Sequence, residues 1–165
     1  MFFWGFIAIF THLIFRKKND MQTTEFDYNS VPKTFGHCLN EQCPRSANCL
    51  RRMAALHVPA TCKYIKIVNP SYSPAADEPC PYYKSGEPLR FARGISHLYD
   101  SLPHRAAISI KDTLLGCFGR SGYYRRYRKE ILFSPQEQAY IRGVFRRYGV
   151  EAEPLYDEFV NGYAW

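Results

Sequence analysis

The chain has 165 residues, 46% hydrophobic and 22% charged. That is the length of one ordinary domain and the composition of a folded one, so a wholly disordered chain is excluded. Ten Gly and 11 Pro exclude collagen-like and low-complexity readings, six Cys are too few for a disulfide-dense toxin scaffold, and a net charge of +7 points to an anionic partner.

Residues 1–15 (MFFWGFIAIFTHLIF) are an apolar run followed at once by Arg16, Lys17 and Lys18. A spanning helix needs about 20 apolar residues. An export signal carries its positive charge before the apolar run and small residues at its cleavage site. Three readings stand for residues 1–20. They are an extension ahead of a true start at Met21, a membrane anchor, or an export signal. The first makes the protein cytoplasmic. The second anchors it in the inner membrane with the basic cluster and the rest of the chain on the cytoplasmic side. A membrane is a partner only if residues 1–20 are translated.

Residues 21–35 are a polar lead-in, and residues 36–165 are expected to form a single domain. Within it, 36–81 is a Cys-rich knuckle. Pro44 and the stretch after it predict a short helix over 45–57, since Pro is tolerated in a first turn. Residues 63–68 (KYIKIV) alternate polar and apolar and predict a half-buried strand. Residues 69–81 hold four Pro and predict an irregular loop.

Residues 89–165 are the helical, basic part. Phe91, Ile95, Leu98 and Leu102 keep near-helical spacing up to Pro103. Residues 104–118 predict a helix with Ala107, Ile110, Leu114 and Leu115 on one face. Residues 119–122 (GRSG) are a turn signal, and 123–131 predict a third short helix. Ser134, Pro135 and Glu137 form a capping box that opens the best-defined helix. Its inward face carries Ile141, Val144, Phe145 and Tyr148, and Gly149 ends it as a C-cap. The tail to Trp165 is acidic, then aromatic, and is expected to pack back on the core. The fold class expected is mainly α with minor β: a compact helical domain with an N-terminal Cys-rich metal knuckle and a helix-turn-helix.

Cys38, Cys43, Cys49 and Cys80 follow the spacing C-x4-C-x5-C-x30-C. Thiolates are soft ligands, and three on a short loop plus one distant can close a four-coordinate site. Zn²⁺ is the expected cofactor, with an iron–sulfur cluster as the alternative. Disulfides and simple burial also remain open for these four. Cys62 and Cys117 have no close partner in sequence and read as small buried hydrophobes.

Residues 111–148 hold nine basic and three acidic residues, whereas 149–165 hold four acids and no base. A helix, a turn and a basic helix in that order match a helix-turn-helix. In that pose Arg120, Ser121, Tyr124, Arg125, Arg126, Arg128 and Lys129 meet nucleic acid, and Arg142, Arg146 and Arg147 clamp its backbone. Two other readings compete: a solvated helix face, and internal pairing with Glu151, Glu153, Asp157 and Glu158.

No glycine-rich phosphate loop, G-x-S-x-G, H-E-x-x-H or C-x-x-C is present. His97 and His104 flank Asp100 near a helix end, where capping explains them as well as acid–base work does. The function read here is a non-enzymatic, metal-binding protein whose basic helical segment meets nucleic acid. The alternatives are an iron–sulfur redox or sensing protein, and a metal-stabilised adaptor for a protein partner.

The stretches HCLNEQCPRSANCLRR (37–52), IVNPSY (67–72), PCPYY (79–83), FARGISHLYDSLPH (91–104), FGRSGYYRRYRKE (118–130) and SPQEQAYIRGVFRRYG (134–149), with the ending YDEFVNGYAW, carry a resemblance. From about residue 35 onward the chain resembles a family of short bacterial proteins of unknown function, typical of gut Bacteroidetes. The resemblance implies that Cys38, Cys43, Cys49 and Cys80 are the family's shared cysteines, which favours a metal site. It implies a fold unit without residues 1–20, which favours the Met21 start, and it implies no mechanism.

Overall fold

The computed structural model describes residues 26–72 and 78–165. The expectations for residues 1–20, for the opening of the lead-in and for the middle of the 69–81 loop lie outside the described residues. No helix among the described residues is long and apolar enough to cross a membrane.

The Cys-bearing segment has little regular structure, because Pro, Gly and Asn interrupt it throughout. Asp27 caps a 3-10 turn over Tyr28–Ser30 by accepting the Asn29 amide at 2.9 Å. A second 3-10 turn, Ser46–Asn48, leads into helix α1, Leu50–Leu56. The helix expected over 45–57 therefore begins at Leu50. Its buried residues are Leu50 and Ala54, one turn apart, which pack with Phe35 in a small apolar cluster. The strand expected over 63–68 does not form. Only Ile67 makes a bridge, in parallel with His37.

Strand β1, Leu89–Arg93, pairs antiparallel with β2, Glu158–Gly162, with Phe91 opposite Val160. Ala92 also exchanges both backbone hydrogen bonds with Phe133, at 3.0 and 2.8 Å. Helix α2, His104–Tyr127, is broken at Gly119, where φ is +67°. Ile108 from the first half and Tyr124 from the second line one groove, so the chain doubles back at the break. Helix α3, Pro135–Arg147, opens with the expected capping box: Ser134 Oγ accepts the Glu137 amide, and Glu137 accepts the Ser134 amide at 2.8 Å. Gly149, at φ +73°, closes it, as the Val150 and Gly149 amides donate back to Phe145 and Arg146.

The main core gathers Ile95 and Leu98, Ile110 and Leu114 of α2, Phe133, and Ile141, Val144 and Phe145 of α3. The helical faces expected for 104–118 and 134–149 are thus the buried ones, except that Tyr148 is exposed and its hydroxyl meets Thr113 Oγ1 at 2.9 Å. The aromatic tail crosses to the other cluster. Trp165 packs edge-on to Phe35 at 5.1 Å, and Tyr163 lies 5.4 Å from Phe26.

Three expectations are corrected. The domain is not mainly helical but a small mixed α/β unit, with three helices and a two-stranded antiparallel sheet among the described residues. The spacing of Phe91, Ile95 and Leu98 marks buried positions but not a helix, because Gly94, at φ +75°, breaks the chain between a strand and a turn. The four-residue turn of a helix-turn-helix is also missing. One glycine makes the break, and the second half of α2 ends at Tyr127.

One carboxylate holds several of these pieces. Asp157, 7% exposed at its side chain, accepts the Ser96 amide at 2.9 Å and the Ser96 hydroxyl at 2.8 Å, and pairs with Lys129 at 3.4 Å. Its own amide donates to the Gly94 carbonyl at 3.2 Å. A side chain at residue 94 would collide with that carboxylate. Burial raises the Asp157 carboxyl, but the Ser96 and Lys129 contacts outweigh it and hold it below its ordinary range. Asp157→Ala should therefore lower stability by about 1–3 kcal/mol in urea unfolding. Because the folded carboxyl ionises below its unfolded value, its contribution is complete above about pH 4 and is lost as pH falls further. Asp157→Asn should flatten that acid limb, and an unchanged limb would show that the carboxylate is not what titrates.

Candidate functional site

The four cysteines singled out by spacing line one cavity of ≈ 60 Å³, with Leu39, Arg45, Arg51, Tyr72, Tyr82 and Tyr83 among its other walls. Three stretches of chain deliver them. Cys38 follows His37, whose amide donates to Lys66 and whose carbonyl accepts from Val68, both at 2.8 Å. Cys43 opens the turn into 46–48, its carbonyl accepting the Ser46 amide at 2.9 Å. Cys49 is buried at the N-cap of α1, and its carbonyl accepts the Met53 amide at 2.9 Å. Cys80 begins a turn closed by the Tyr83 amide at 3.1 Å.

Arg51 braces these stretches against each other. Its Nε donates to the Tyr82 carbonyl at 2.7 Å, its guanidinium donates to the Gly36 carbonyl at 2.8 Å, and the same group lies 4.6 Å from the Phe35 ring centroid. Arg45 stacks over Tyr83 at 3.5 Å. The sequence gives no sign of either role, because both partners of Arg51 are backbone carbonyls remote in the chain.

All six thiols are free. No group of three or more His, Cys, Asp or Glu among the described residues is arranged to hold a metal ion. The four cysteines share a cavity without closing on a common point. Cys62 and Cys117, expected to be buried, are both exposed. Each meets a polar neighbour instead: the Cys62 thiol donates to the Tyr64 carbonyl at 3.2 Å, and Cys117 lies beside Tyr140 of α3. His37 is 4% exposed and spends both ring nitrogens on the fold. Nδ1–H donates to the Lys66 carbonyl at 3.0 Å, which leaves Nε2 to accept the Tyr28 hydroxyl at 2.9 Å.

Acids already occupy much of the basic segment. Arg125 and Arg128 both reach Glu130, at 3.3 and 2.7 Å. The Arg128 hydrogen bond is the largest cause holding the Glu130 carboxyl below its usual range. Lys129 meets Asp157, and Arg142 meets Glu153 at 2.7 Å, which raises the Arg142 guanidinium. Glu158 reaches Arg93 at 3.6 Å. Pairing between the basic segment and the acidic tail therefore holds for Glu153 and Asp157, whereas Glu158 pairs with Arg93 of β1 and Glu151 makes no ion pair among the described residues. Arg120, Arg146 and Arg147 are exposed and make no ion pair among the described residues. Ser121 is exposed beside Arg120, and Tyr124 is half-buried in the groove that Lys111 and Arg120 also line. His97 and Asp100 form an exposed pair at 2.7 Å, three residues apart.

Arg126 belongs to the core rather than to a surface. Its side chain is 14% exposed, lies over the rings of Phe118 and Phe133 at 4.5 and 5.4 Å, and pairs with Glu137 of the capping box. Arg126→Ala should cost about 1–3 kcal/mol through lost packing and an orphaned Glu137. The exposed Arg128→Ala should leave the urea midpoint nearly unchanged. Equal effects of the two would remove the structural role from Arg126.

No curated protein and no solved structure matches this chain. Residues 21–165 match a family described as a family of unknown function (DUF6078), a span holding all four cavity cysteines and both basic helices, and the chain belongs to that family.

Proposed function

We propose that the chain is a non-enzymatic, metal-binding protein in which Cys38, Cys43, Cys49 and Cys80 hold a structural zinc ion. The observation that carries this reading is the gathering of four thiols, from three stretches of chain, around one small cavity. Four thiolates with no carboxylate among the described walls form a soft set that suits Zn²⁺, which takes four such ligands at about 2.3 Å. Such a centre is net negative, and Arg45 and Arg51 on the same walls offset that charge. Reaching ligand distance needs the loops bearing Cys38, Cys43 and Cys80 to close toward Cys49, which the N-cap of α1 holds in place. Six free thiols suit a reducing compartment, so the proposed location is the cytoplasm.

The basic segment supplies a second part of the reading, contact with duplex nucleic acid. The set able to reach phosphates narrows to Arg120, Arg146 and Arg147, with Ser121 and Tyr124 beside Arg120. Lys111 makes no ion pair among the described residues and lines the groove beside Asp112 and Arg120, and the other cations of the segment already face carboxylates.

Metal analysis of anaerobically purified protein tests the first part. About one zinc per chain is expected, lost in Cys43→Ser. Iron with acid-labile sulfide would replace zinc by a cluster at the same residues, and a metal-free protein would end the metal reading. For the second part, Arg120→Ala with Arg146→Ala should weaken duplex binding and flatten its salt dependence by about 2 in log–log slope. Unchanged duplex binding would discard it.

A further inference from the structure

The protein carries a net charge of +7, yet most cations of the basic helices meet carboxylates inside the fold. Lys33, Lys63 and Lys66 do not. They line one open groove of ≈ 580 Å³ together with Tyr28, Cys62 and Tyr64. Among the described residues no acid lines that groove, and none of the three lysines makes an ion pair. Charge is therefore uncompensated here, in contrast to residues 125–129.

The backbone that presents these side chains is held firmly. The Lys66 carbonyl accepts two hydrogen bonds from His37, one from its amide at 2.8 Å and one from its ring at 3.0 Å. His37 in turn accepts the Tyr28 hydroxyl, which fixes one wall. The Cys62 amide donates to the Pro59 carbonyl at 2.9 Å, and its thiol turns to the Tyr64 carbonyl. Tyr64 itself is 89% exposed, the most exposed large hydrophobic side chain among the described residues. The core makes no use of its ring. An aromatic face left in water between Lys63 and Lys66 is costly unless something stacks on it.

We infer that this groove binds single-stranded nucleic acid. The three ammonium groups meet backbone phosphates, and the Tyr64 ring stacks on an unpaired base. A duplex hides its base faces and offers the ring nothing, whereas a single strand offers both a π-face and closely spaced phosphates. Lysines act as point charges without the bidentate fork that reads base edges, so binding is sequence-tolerant. None of the four cavity cysteines and no residue of the basic helices lines this groove, so the inference is independent of the proposed zinc and duplex contacts.

The test is anisotropy of a labelled oligothymidylate titrated with the full chain. Three phosphate contacts predict a log–log salt slope near −2, at about −0.7 per phosphate. Tyr64→Ala should weaken binding about fivefold or more, the lower end of a base–aromatic stack. Lys63→Ala with Lys66→Ala should remove most of the salt dependence, while Arg120→Ala with Arg146→Ala should leave binding unchanged. Bound oligonucleotide should slow maleimide labelling of Cys62 but not of Cys117. Tyr64 and the lysines are exposed, so these variants keep the core intact. Three results overturn the inference: no binding at about 50 mM salt, loss confined to the Arg120/Arg146 variant, or full strength in Tyr64→Ala with polyglutamate competing equally. The last would assign the groove to an acidic peptide instead.

Discussion

The Asp157 carboxylate is the constraint on which the arrangement of the chain depends. It takes two hydrogen bonds from Ser96 and a charge from Lys129, so it joins the exit of β1, the entry of β2 and the end of α2. Each partner is itself unusual. Gly94 sits at a φ where only glycine is comfortable and where a Cβ has no room. Lys129 holds a left-handed conformation, at φ +65°, that normally falls to glycine at a helix C-terminus. The Glu130 and Lys129 amides still close that end onto the Arg125 and Arg126 carbonyls, at 2.9 and 3.0 Å. A lysine tolerates the strain because its ammonium reaches the carboxylate from there. Remove the carboxylate, and both the turn after β1 and the stop of α2 lose their reason.

Electrostatics divides the surface in a way that composition hides. The acidic tail is spent on Arg93, Lys129 and Arg142, and Glu130 and Glu137 absorb three more arginines. Cations left without a carboxylate partner among the described residues include Arg120 at the break of α2, Arg146 and Arg147 at the end of α3, and the three lysines beside Tyr64. Arg45 and Arg51 border the thiol cavity, bonded to rings and carbonyls rather than to acids. Cations whose partners are carbonyls and rings keep their positive field over that cavity.

The features legible in the sequence are those set within a few residues. Ser134, Pro135, Glu137 and Gly149 mark both ends of α3 because capping is local chemistry. Ile110, Leu114, Ile141 and Val144 reveal their faces because helical spacing is local too. The strands escape because each is five residues long and takes its meaning from a partner far along the chain. Phe91 and Val160 face each other only through tertiary pairing. The break at Gly119 is compressed into one residue where four had turn character. Ion pairing is equally non-local, so Arg126 looked like a surface cation and is a packed one. For the cysteines, spacing and soft-ligand chemistry named four residues that do share a cavity. It could not say how far apart their sulfurs stand. Tyr64 was hidden by its alternation with Lys63 and Ile65, a pattern that places an aromatic ring inward when a sheet covers it. No sheet forms there.

The passage of the tail from one apolar cluster to the other has a consequence for synthesis. Phe35, Leu50 and Ala54 are the buried centre of a small cluster that Phe26, Val31, Met53, Tyr163 and Trp165 cover. Tyr163 and Trp165 follow every element described above in chain order. The helices around Ile110 and Phe145 can pack as they emerge, whereas the cluster of the cysteine-bearing segment, though made earlier, is complete only with residues 163–165. Vectorial folding is thus reversed for this segment. A premature stop ahead of residue 163 would leave its thiols on an unfinished fold, exposed to oxidants and to proteases.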